Sequence, residues 1–397
     1  MDIILVLGVV LASAFFAGKL ADRVRLPVVT GYVLMGVVLG PSVAGIVGSE
    51  EMLALEPINA FALGLIGLSI GSELRWRSLL AKWENFGLLF AGQSMMTLLL
   101  VFLSIYLFSG DIPMAIMLGV LALAPAPATI LGVIREYRTR GPFPREIMSM
   151  VVLDSLWCIT AFTIVSTVLN FYYFGNGTGL GALGNVFGQI APAIGLGIIL
   201  GACGILVIDR ISIAPQRQVM ITAILLLSVG IPRHLGISYL LVTLITGVMV
   251  VNLSPNFERF VGSLRTIDTP ILVVFLTLAG TRLQLDVLPM VGRLGVVYVL
   301  ARFAGKMAGA RIADLGCRLL PDRCGLINPK HRRLMGMALT PQAGVAVGLS
   351  ILAEQQLPVQ EGLLVSLVLG SVIISQLIAP TLIVRALRMA GAIVTDG

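Results

Sequence analysis

The chain has 397 residues, of which 57% are hydrophobic and 12% are charged, and its mean hydropathy is +1.01. A soluble protein carries about a quarter charged residues, so too few polar side chains remain here to cover a water-facing surface. This composition excludes a soluble or secreted domain and predicts an all-α integral membrane protein. The net charge of +7 would favour nucleic acid in a soluble protein, but in a membrane chain we expect no nucleic-acid partner.

Apolar runs separated by short polar breaks predict the membrane spans in chain order, since a helix needs roughly 20 mostly apolar residues to cross the bilayer. The first run follows Met1-Asp2 directly, without a basic segment or a small-residue cleavage site. It therefore predicts a spanning helix and not a cleaved signal. Thirteen runs are found, at residues 3–18, 26–46, 58–72, 85–108, 112–134, 147–173, 184–208, 218–232, 236–252, 269–284, 290–312, 334–354 and 361–384.

The distribution of Lys and Arg favours one orientation, because cytoplasmic loops carry an excess of positive charge. With the N-terminus outside and the C-terminus in the cytoplasm, 22 of the 27 Lys and Arg residues fall in cytoplasmic loops or the tail. Only Arg233, Arg282 and Arg293 fall outside, and Arg302 and Lys306 lie within the eleventh span. A missed span would reverse every later loop, so the asymmetry favours thirteen spans.

Two spans carry helix-breaking sequence near their middle. The fifth contains Pro125 and Pro127, and the twelfth contains Thr340, Pro341 and Gln342. Proline removes a backbone donor and clashes with the preceding turn, and the freed backbone groups must be buried in protein or line a cavity. Paired broken helices in inverted repeats mark the binding site of a secondary transporter. The alternative is that these prolines only kink their helices.

The positions of the two breaks predict the domain organisation. Residues 1–397 form a single membrane transporter unit, in which spans one to six (1–173) are a first repeat. Span seven (184–208) is a linker helix, and spans eight to thirteen (218–388) are a second, inverted repeat. The broken fifth and twelfth spans then occupy corresponding positions. We expect no soluble regulatory domain in these residues.

Asp154 is the acidic residue that lies well inside a span, the sixth. Ionisable groups within the bilayer are costly and usually functional. Arg302 and Lys306 are four residues apart and therefore share one helix face, and Lys306 is the predicted partner of Asp154. Lysine can lose its proton when desolvated, whereas arginine cannot at ordinary pH, so an Asp154–Lys306 pair is a potential proton switch. The alternative is a static salt bridge, and Arg302 is interpreted as a structural charge paired with helix-end carbonyls.

Enzymatic, metal and cofactor functions are not predicted, because the sequence shows no metal cluster, nucleophile–base pair or nucleotide loop. The cysteines lack a CxxC pair and are predicted to be unpaired; they are Cys158, Cys203, Cys317 and Cys324. Two spacings, Gly197-xxx-Gly201 and Gly305-xxx-Gly309, permit close helix packing.

Four segments stand out in order along the chain: Arg25-Leu-Pro-Val-Val-Thr-Gly-Tyr-Val-Leu-Met-Gly-Val-Val-Leu-Gly-Pro41, Val133-Ile-Arg-Glu-Tyr-Arg138, Ala301-Arg-Phe-Ala-Gly-Lys306 and Leu339-Thr-Pro-Gln-Ala-Gly-Val-Ala346. With thirteen spans, they resemble the monovalent cation/proton antiporter superfamily, specifically its second branch of Kef-like and bacterial sodium/proton exchangers. The resemblance covers nearly the whole chain. It implies two discontinuous crossing helices, alternating access by an elevator movement, a homodimer, and a bacterial cytoplasmic membrane.

The chain departs from that family at one position. Members usually carry an acidic or polar-acidic pair on this helix, and its second residue is the carboxylate that binds the ion. Here the pair reads Asp154-Ser155. A serine can ligate sodium or potassium as a neutral oxygen but cannot exchange a proton at physiological pH. If the chain is aligned with the family one residue further along, Asp154 takes the second position of the pair. The residues around it, Val151–Leu156, then no longer match the family.

Two functions stay open on this reasoning. The first is exchange of a monovalent cation, sodium or potassium, for protons. Asp154, Ser155 and Thr129 would ligate the cation with carbonyls near Pro341, and Lys306 would be the proton-coupled partner. The second is an antiporter-fold protein that has lost this exchange and serves as a channel-like or other solute carrier, or as a membrane subunit of a larger complex. The expected partners are membrane lipid, a second copy of the chain, and a regulatory or accessory subunit.

Overall fold

The structure is a computed structural model that describes residues 2–24, 28–74, 76–174, 179–283, 288–319, 327–357 and 362–393. The predicted all-helical class is confirmed over these residues. The helices are α1 (Ile3–Arg23), α2 (Val28–Leu39), α3 (Ser49–Ala54), α4 (Glu56–Glu73), α5 (Trp76–Ser109), α6 (Ile112–Leu121), α7 (Pro127–Glu136), α8 (Pro142–Phe174), α9 (Gly179–Arg210), α10 (Ala214–Leu235), α11 (Tyr239–Leu253), α12 (Phe257–Thr281), α13 (Leu288–Leu319), α14 (Pro329–Ala338), α15 (Gly344–Gln356) and α16 (Leu363–Met389).

Each of the thirteen apolar runs coincides with one helix, or with two at the fifth and twelfth runs. The described residues contain six helices long and apolar enough to cross a membrane, or seven if the bent α12 is one span. The protein is therefore a multi-pass membrane protein, and the count of thirteen spans stays a prediction. The short helix α3 was not predicted, because its six residues, Ser49–Ala54, hold two glutamates and no apolar run.

The chain divides into two compact units, each built from separate segments. Unit 1 comprises Met1–Trp76, Ile159–Gln284 and Gln356–Pro358, and unit 2 comprises Arg77–Cys158, Leu285–Gln355 and Val359–Gly397. Helix α8 leaves unit 2 after Cys158 and continues into unit 1. Unit 2 thus contains the fourth and fifth spans of the first predicted repeat and the beginning of its sixth span, together with the fourth, fifth and sixth spans of the second predicted repeat. The division into inverted repeats stays a prediction.

Unit 1 is held together by helix crossings at which only glycine fits. A Cβ on Gly36 of α2 or Gly280 of α12 would collide with the backbone of the other helix. The Gly197-xxx-Gly201 spacing packs α9 against α11, since Cβ atoms there would lie 2.7 Å from Cβ of Ile245 and 2.5 Å from Cβ of Met249. Small residues permit this close approach of helices inside a membrane.

In unit 2, glycines likewise permit close packing of α5 and α13. A Cβ on Gly305 would lie 2.7 Å from the Thr97 Cα, and one on Gly309 would lie 2.6 Å from the Gln93 Cα. The Gly305-xxx-Gly309 spacing therefore packs two helices of one unit. It brings polar side chains of α5 close to the charged face of α13.

Both predicted helix breaks are present in unit 2. Helix α6 ends at Leu121 and α7 begins at Pro127, while α14 ends at Ala338 and α15 begins at Gly344. Pro127 opens α7, where its missing N–H leaves no intrahelical hydrogen bond unmade. Each break leaves backbone carbonyl groups without helical partners at buried positions, so other groups must satisfy them.

One cysteine prediction is wrong. Cys317 is disulfide-bonded, whereas Cys158 and Cys203 carry free thiols. The prediction relied on the missing CxxC pair, and a disulfide requires proximity in space and not a short spacing. Cys324 lies outside the described residues, as does the 25–27 part of the first family-like segment.

Candidate ion-binding site

The centre of unit 2 holds an ion pair between Asp154 of α8 and Lys306 of α13. The Lys306 ammonium Nζ lies 2.6 Å from Asp154 Oδ2, and both side chains are 0% exposed. The ammonium also donates to the Leu123 carbonyl oxygen at 3.4 Å, in the first helix break. A carboxylate and a carbonyl oxygen thus surround one positive charge inside the membrane protein.

Helix α5 supplies two further donors to the same carboxylate. Gln93 Nε2 donates to Asp154 Oδ2 at 3.1 Å, and Ser94 Oγ donates to Oδ1 at 3.1 Å. Asp154 is therefore held by three side chains from two helices, in a site without solvent exposure.

Arg302, one turn before Lys306, binds the two helix breaks together. Its guanidinium donates to the carbonyl oxygens of Ala122 at 3.0 Å, Ala124 at 3.2 Å, Thr340 at 2.5 Å and Pro341 at 3.2 Å. The first two lie between α6 and α7, and the last two lie between α14 and α15. Arginine suits this position because its planar fork carries five donors and a fixed charge.

Gln342 forms a second link between the breaks. Its Nε2 donates to the Leu121 carbonyl oxygen and to the Tyr298 hydroxyl oxygen, both at 3.0 Å. Ser371 Oγ donates to Gln342 Oε1 at 2.8 Å, and Gln376 Nε2 donates to the Gln342 carbonyl oxygen at 3.0 Å. The amide of Gln342 is thereby fully engaged at the point where the two breaks meet.

Two other predicted ligands lie on the elements that build the site. Ser155 is 1% exposed on α8, and its hydroxyl donates to the Val151 carbonyl oxygen of its own helix at 2.9 Å. Thr129 lies in the first turn of α7, and its hydroxyl donates to Gln376 Oε1 at 3.0 Å. Within the described residues no hydrogen bond joins either hydroxyl to Asp154. The lone pairs of both oxygens remain able to accept a cation.

The structure thus brings together Asp154 and Lys306, and it places Arg302, Thr340, Pro341 and Gln342 around the breaks. Pro125 lies in the same break as Leu123, and Pro127 begins the helix that follows this break. The sequence alone did not single out five neutral residues of the site, namely Gln93, Ser94, Tyr298, Ser371 and Gln376. In the sequence these residues are polar side chains within apolar runs. A search restricted to charged residues does not find them.

Comparisons with known proteins place this geometry in a known fold. A structure of the sodium proton antiporter MjNhaP1 from Methanocaldococcus jannaschii at pH 8 superposes with a TM-score of 0.76 at 17% identity, over 98% of this chain and 100% of that chain. A second structure of MjNhaP1, from electron microscopy, gives a TM-score of 0.65 at 16% identity, over 97% and 95% of the two chains. At such low identity these likenesses show the fold alone.

Sequence comparison adds one curated relative and a family. An uncharacterized protein in the phaC 3' region of Methylorubrum extorquens is 35% identical over 75 residues, which is 19% of this chain and 26% of that protein. The chain therefore spans only about a quarter of that relative's length. The family described as the transmembrane sodium/hydrogen exchanger matches residues 10–389, nearly the whole chain. The protein therefore belongs to the sodium/hydrogen exchanger family, whose members are membrane transporters and not enzymes.

Proposed function

We propose that this protein exchanges a monovalent cation, sodium or potassium, for protons by alternating access. The observation that carries the proposal is the Asp154–Lys306 ion pair, with both side chains 0% exposed and 2.6 Å between their charged atoms. The pair lies beside two broken helices in a chain of the sodium/hydrogen exchanger family. A buried ion pair is weak support for stability alone, and ionisable residues within membranes commonly belong to transport paths.

In this proposal the structure corresponds to the proton-loaded form. The proton is the one that Lys306 carries, and the Asp154 carboxylate stabilises it there. A small cation that reaches Asp154 competes with the ammonium for the same oxygen atoms. Once the ammonium is displaced into a desolvated site, its charged form is disfavoured and Lys306 releases its proton.

Asp154, Ser155 and Thr129 are the proposed side-chain ligands of the cation, with carbonyl oxygens near Pro341. One carboxylate supplies the charge, and the neutral oxygens replace the water of the hydrated ion. The hydroxyls of Ser155 and Thr129 each donate a hydrogen bond to a protein oxygen atom, so the lone pairs of both hydroxyl oxygens remain available to bind a cation. Arg302 is proposed to hold the breaks in place and to take no part in proton exchange, because arginine does not deprotonate in proteins.

The finer features of the family fold are also proposals for this chain. The shared contacts of Arg302 and Gln342 support a crossing of the two broken helices. The placement of both breaks and the ion pair within unit 2 supports this unit as the mobile core of an elevator movement, with unit 1 as the dimerisation domain. We also propose that the chain belongs to the second, Kef-like branch of the superfamily. It would lie in the cytoplasmic membrane with its N-terminus outside, as a homodimer with an accessory subunit.

The test is cation-driven proton movement in proteoliposomes, with wild type, Asp154→Asn and Lys306→Arg compared. We expect exchange by wild type and at least a hundredfold loss in both variants. Asp154→Asn removes the charge that holds either ion, and Lys306→Arg keeps a positive charge that cannot release its proton. Arg311→Lys, at an exposed position of the same helix, is the matched control and should exchange like wild type. Undiminished exchange by Lys306→Arg would refute the role of Lys306 as the proton carrier.

A second candidate function rests on Ser155, the position at which the resemblance would place the second carboxylate of the family. The protein would then have kept the antiporter fold but lost cation/proton exchange. It would serve as a channel-like or other solute carrier, or as a membrane subunit of a larger complex. Ser155→Asp separates the two candidates in the same assay. A wild type that is silent while Ser155→Asp exchanges would favour this second function over cation/proton exchange.

A further inference from the structure

Gln93 has a buried oxygen atom with no partner, directly beside the Asp154–Lys306 pair. Its side chain is 0% exposed, and its Nε2 donates to Asp154 Oδ2 at 3.1 Å. Among the described residues, its Oε1 has no hydrogen-bond partner. A buried polar atom left unpaired is unfavourable and calls for a physical reason.

The neighbours of Gln93 supply that reason. A glutamine amide carries donors on one side and a carbonyl acceptor on the other, and an ionised carboxylate accepts only from the donor side. While Lys306 occupies Asp154, the amide must present Nε2 to Oδ2, and Oε1 is then turned away. The unpaired oxygen is therefore a consequence of the donor side of the amide facing the Asp154 carboxylate.

We infer that Gln93 is a further ligand of the transported cation, an inference that rests on the function proposed above. A half turn of the amide about its last side-chain bond exchanges Nε2 for Oε1 and directs the oxygen toward Asp154 Oδ2. Two oxygen atoms facing each other repel unless a cation lies between them. The turn therefore takes place when sodium or potassium replaces the Lys306 ammonium, and it is reversed when the ammonium returns.

The ligand set that results has the chemistry of an alkali-cation site. Gln93 Oε1 and the Leu123 carbonyl oxygen join Asp154 Oδ2 and the neutral ligands proposed above, and the Leu123 oxygen now accepts from Lys306 at 3.4 Å. One charged oxygen and several neutral oxygens suit a hard monovalent ion. Gln93 thereby supplies an oxygen in a site that lacks the family's second carboxylate.

Helix packing holds Gln93 at this place. Its backbone lies against Gly309 of α13, where an added Cβ would be 2.6 Å from the Gln93 Cα. Thr97, one turn further along α5, donates to the Gln93 carbonyl oxygen at 2.8 Å. The backbone is thus fixed, and the side-chain amide is the part left to turn.

The experiment measures the dependence of proton movement on Na⁺ and K⁺ concentration in proteoliposomes of wild type, Gln93→Leu and Gln93→Glu. Gln93→Leu removes the oxygen and should raise the apparent KM for the cation about tenfold, with the maximal rate within about threefold of wild type. Gln93→Glu keeps an oxygen and should leave the KM at or below the wild-type value. Met95→Leu, a substitution at an exposed position of the same helix outside the site, should leave both parameters unchanged.

The two Gln93 variants distinguish a ligand from a positioning residue. If Nε2 only orients Asp154, both variants lose the donor, and both should raise the KM; that result would overturn the inference, as would an unchanged KM in Gln93→Leu. Thermal stabilisation of the detergent-solubilised protein by Na⁺ or K⁺ provides an independent readout. If the cation stabilises wild type but wild type does not exchange, only the proposed function is refuted. In that case, loss of stabilisation in Gln93→Leu and its retention in Gln93→Glu would still support Gln93 as a ligand of the cation. Neither exchange nor stabilisation in wild type would overturn both proposals.

Discussion

Two buried cations one helical turn apart, Arg302 and Lys306, have different partners. Arg302 donates to four backbone carbonyl oxygens, and Lys306 pairs with the Asp154 carboxylate. The division follows from their chemistry, since a rigid guanidinium with a permanent charge satisfies many fixed acceptors. A compact ammonium on a flexible stem suits fewer acceptors and can lose its proton. Under the proposed function, Arg302 would carry a structural charge and Lys306 an exchangeable charge on one face of α13.

We predict that Arg302→Lys lowers the free energy of unfolding by about 2–4 kcal/mol, because an ammonium cannot reach four carbonyls in two breaks and some would stay unpaired. The measurement is unfolding of the purified protein in detergent, followed by fluorescence. Arg311→Lys makes the same exchange at an exposed position of α13 and should change stability by less than about 0.5 kcal/mol. Equal stability of the two variants would mean that the breaks do not depend on the guanidinium.

Among helices, the close approach of α5 and α13 determines which side chains meet. Gly305 and Gly309 lie against backbone atoms of Thr97 and Gln93. Gln93 and Ser94 of α5 and Lys306 of α13 donate to the same Asp154 carboxylate, and the close approach of α5 and α13 brings these donors together. Polar contacts of the site therefore depend on glycines that carry no polar group.

Gly309→Ala tests this dependence. We expect a loss of about 1–3 kcal/mol in stability, because the new Cβ would lie 2.6 Å from the Gln93 Cα and helices in close contact cannot absorb it. We also expect weaker cation affinity, since Gln93 moves away from Asp154. Gly292→Ala is the matched control on the same helix, because nothing lies within 4 Å of its added Cβ. Both variants are compared by unfolding in detergent and by cation KM in proteoliposomes.

The sequence predicts some of these features and not others, for reasons visible in single residues. Asp154 and Lys306 were found because charges are rare in apolar runs, and the breaks were found because Pro125, Pro127 and Pro341 exclude continuous helices. Gln93 was missed, since neutral polar residues are common in membrane helices. Its contact with Asp154 joins positions 61 residues apart, and such a contact depends on packing that no local pattern encodes.

At the scale of the molecule, each compact unit is assembled from distant segments of the chain. Unit 2 combines Arg77–Cys158 with Leu285–Gln355 and the C-terminal segment. The first segment covers the fourth and fifth spans of the first predicted repeat and the beginning of the sixth, and the other two cover the last three spans of the second predicted repeat. A duplicated and inverted precursor would produce such an arrangement. Composition and periodicity gave the helices, but the pairing of segments into units required the three-dimensional structure.

The predicted orientation can be tested on the whole molecule. Thirteen spans with the N-terminus outside place the C-terminus in the cytoplasm, in agreement with the Lys and Arg distribution. A fluorescent protein that matures only in the cytoplasm should be bright when fused after Gly397. Alkaline phosphatase is active only outside the cytoplasm. It should be active when it is fused before Met1 with its own signal peptide. Both reporters on the same side would require an even number of spans.

The Asp154–Lys306 pair has a consequence for how the membrane voltage acts on transport. With Lys306 protonated, the charges of −1 and +1 cancel. With a sodium ion on Asp154 and a neutral Lys306, they cancel again. Arg302 adds the same fixed charge to both forms. If each form crosses the membrane in turn, one cation moves against one proton and no net charge is transferred. A carrier of this kind would follow the two concentration gradients alone, and the electrical potential of the cell would neither drive nor oppose it.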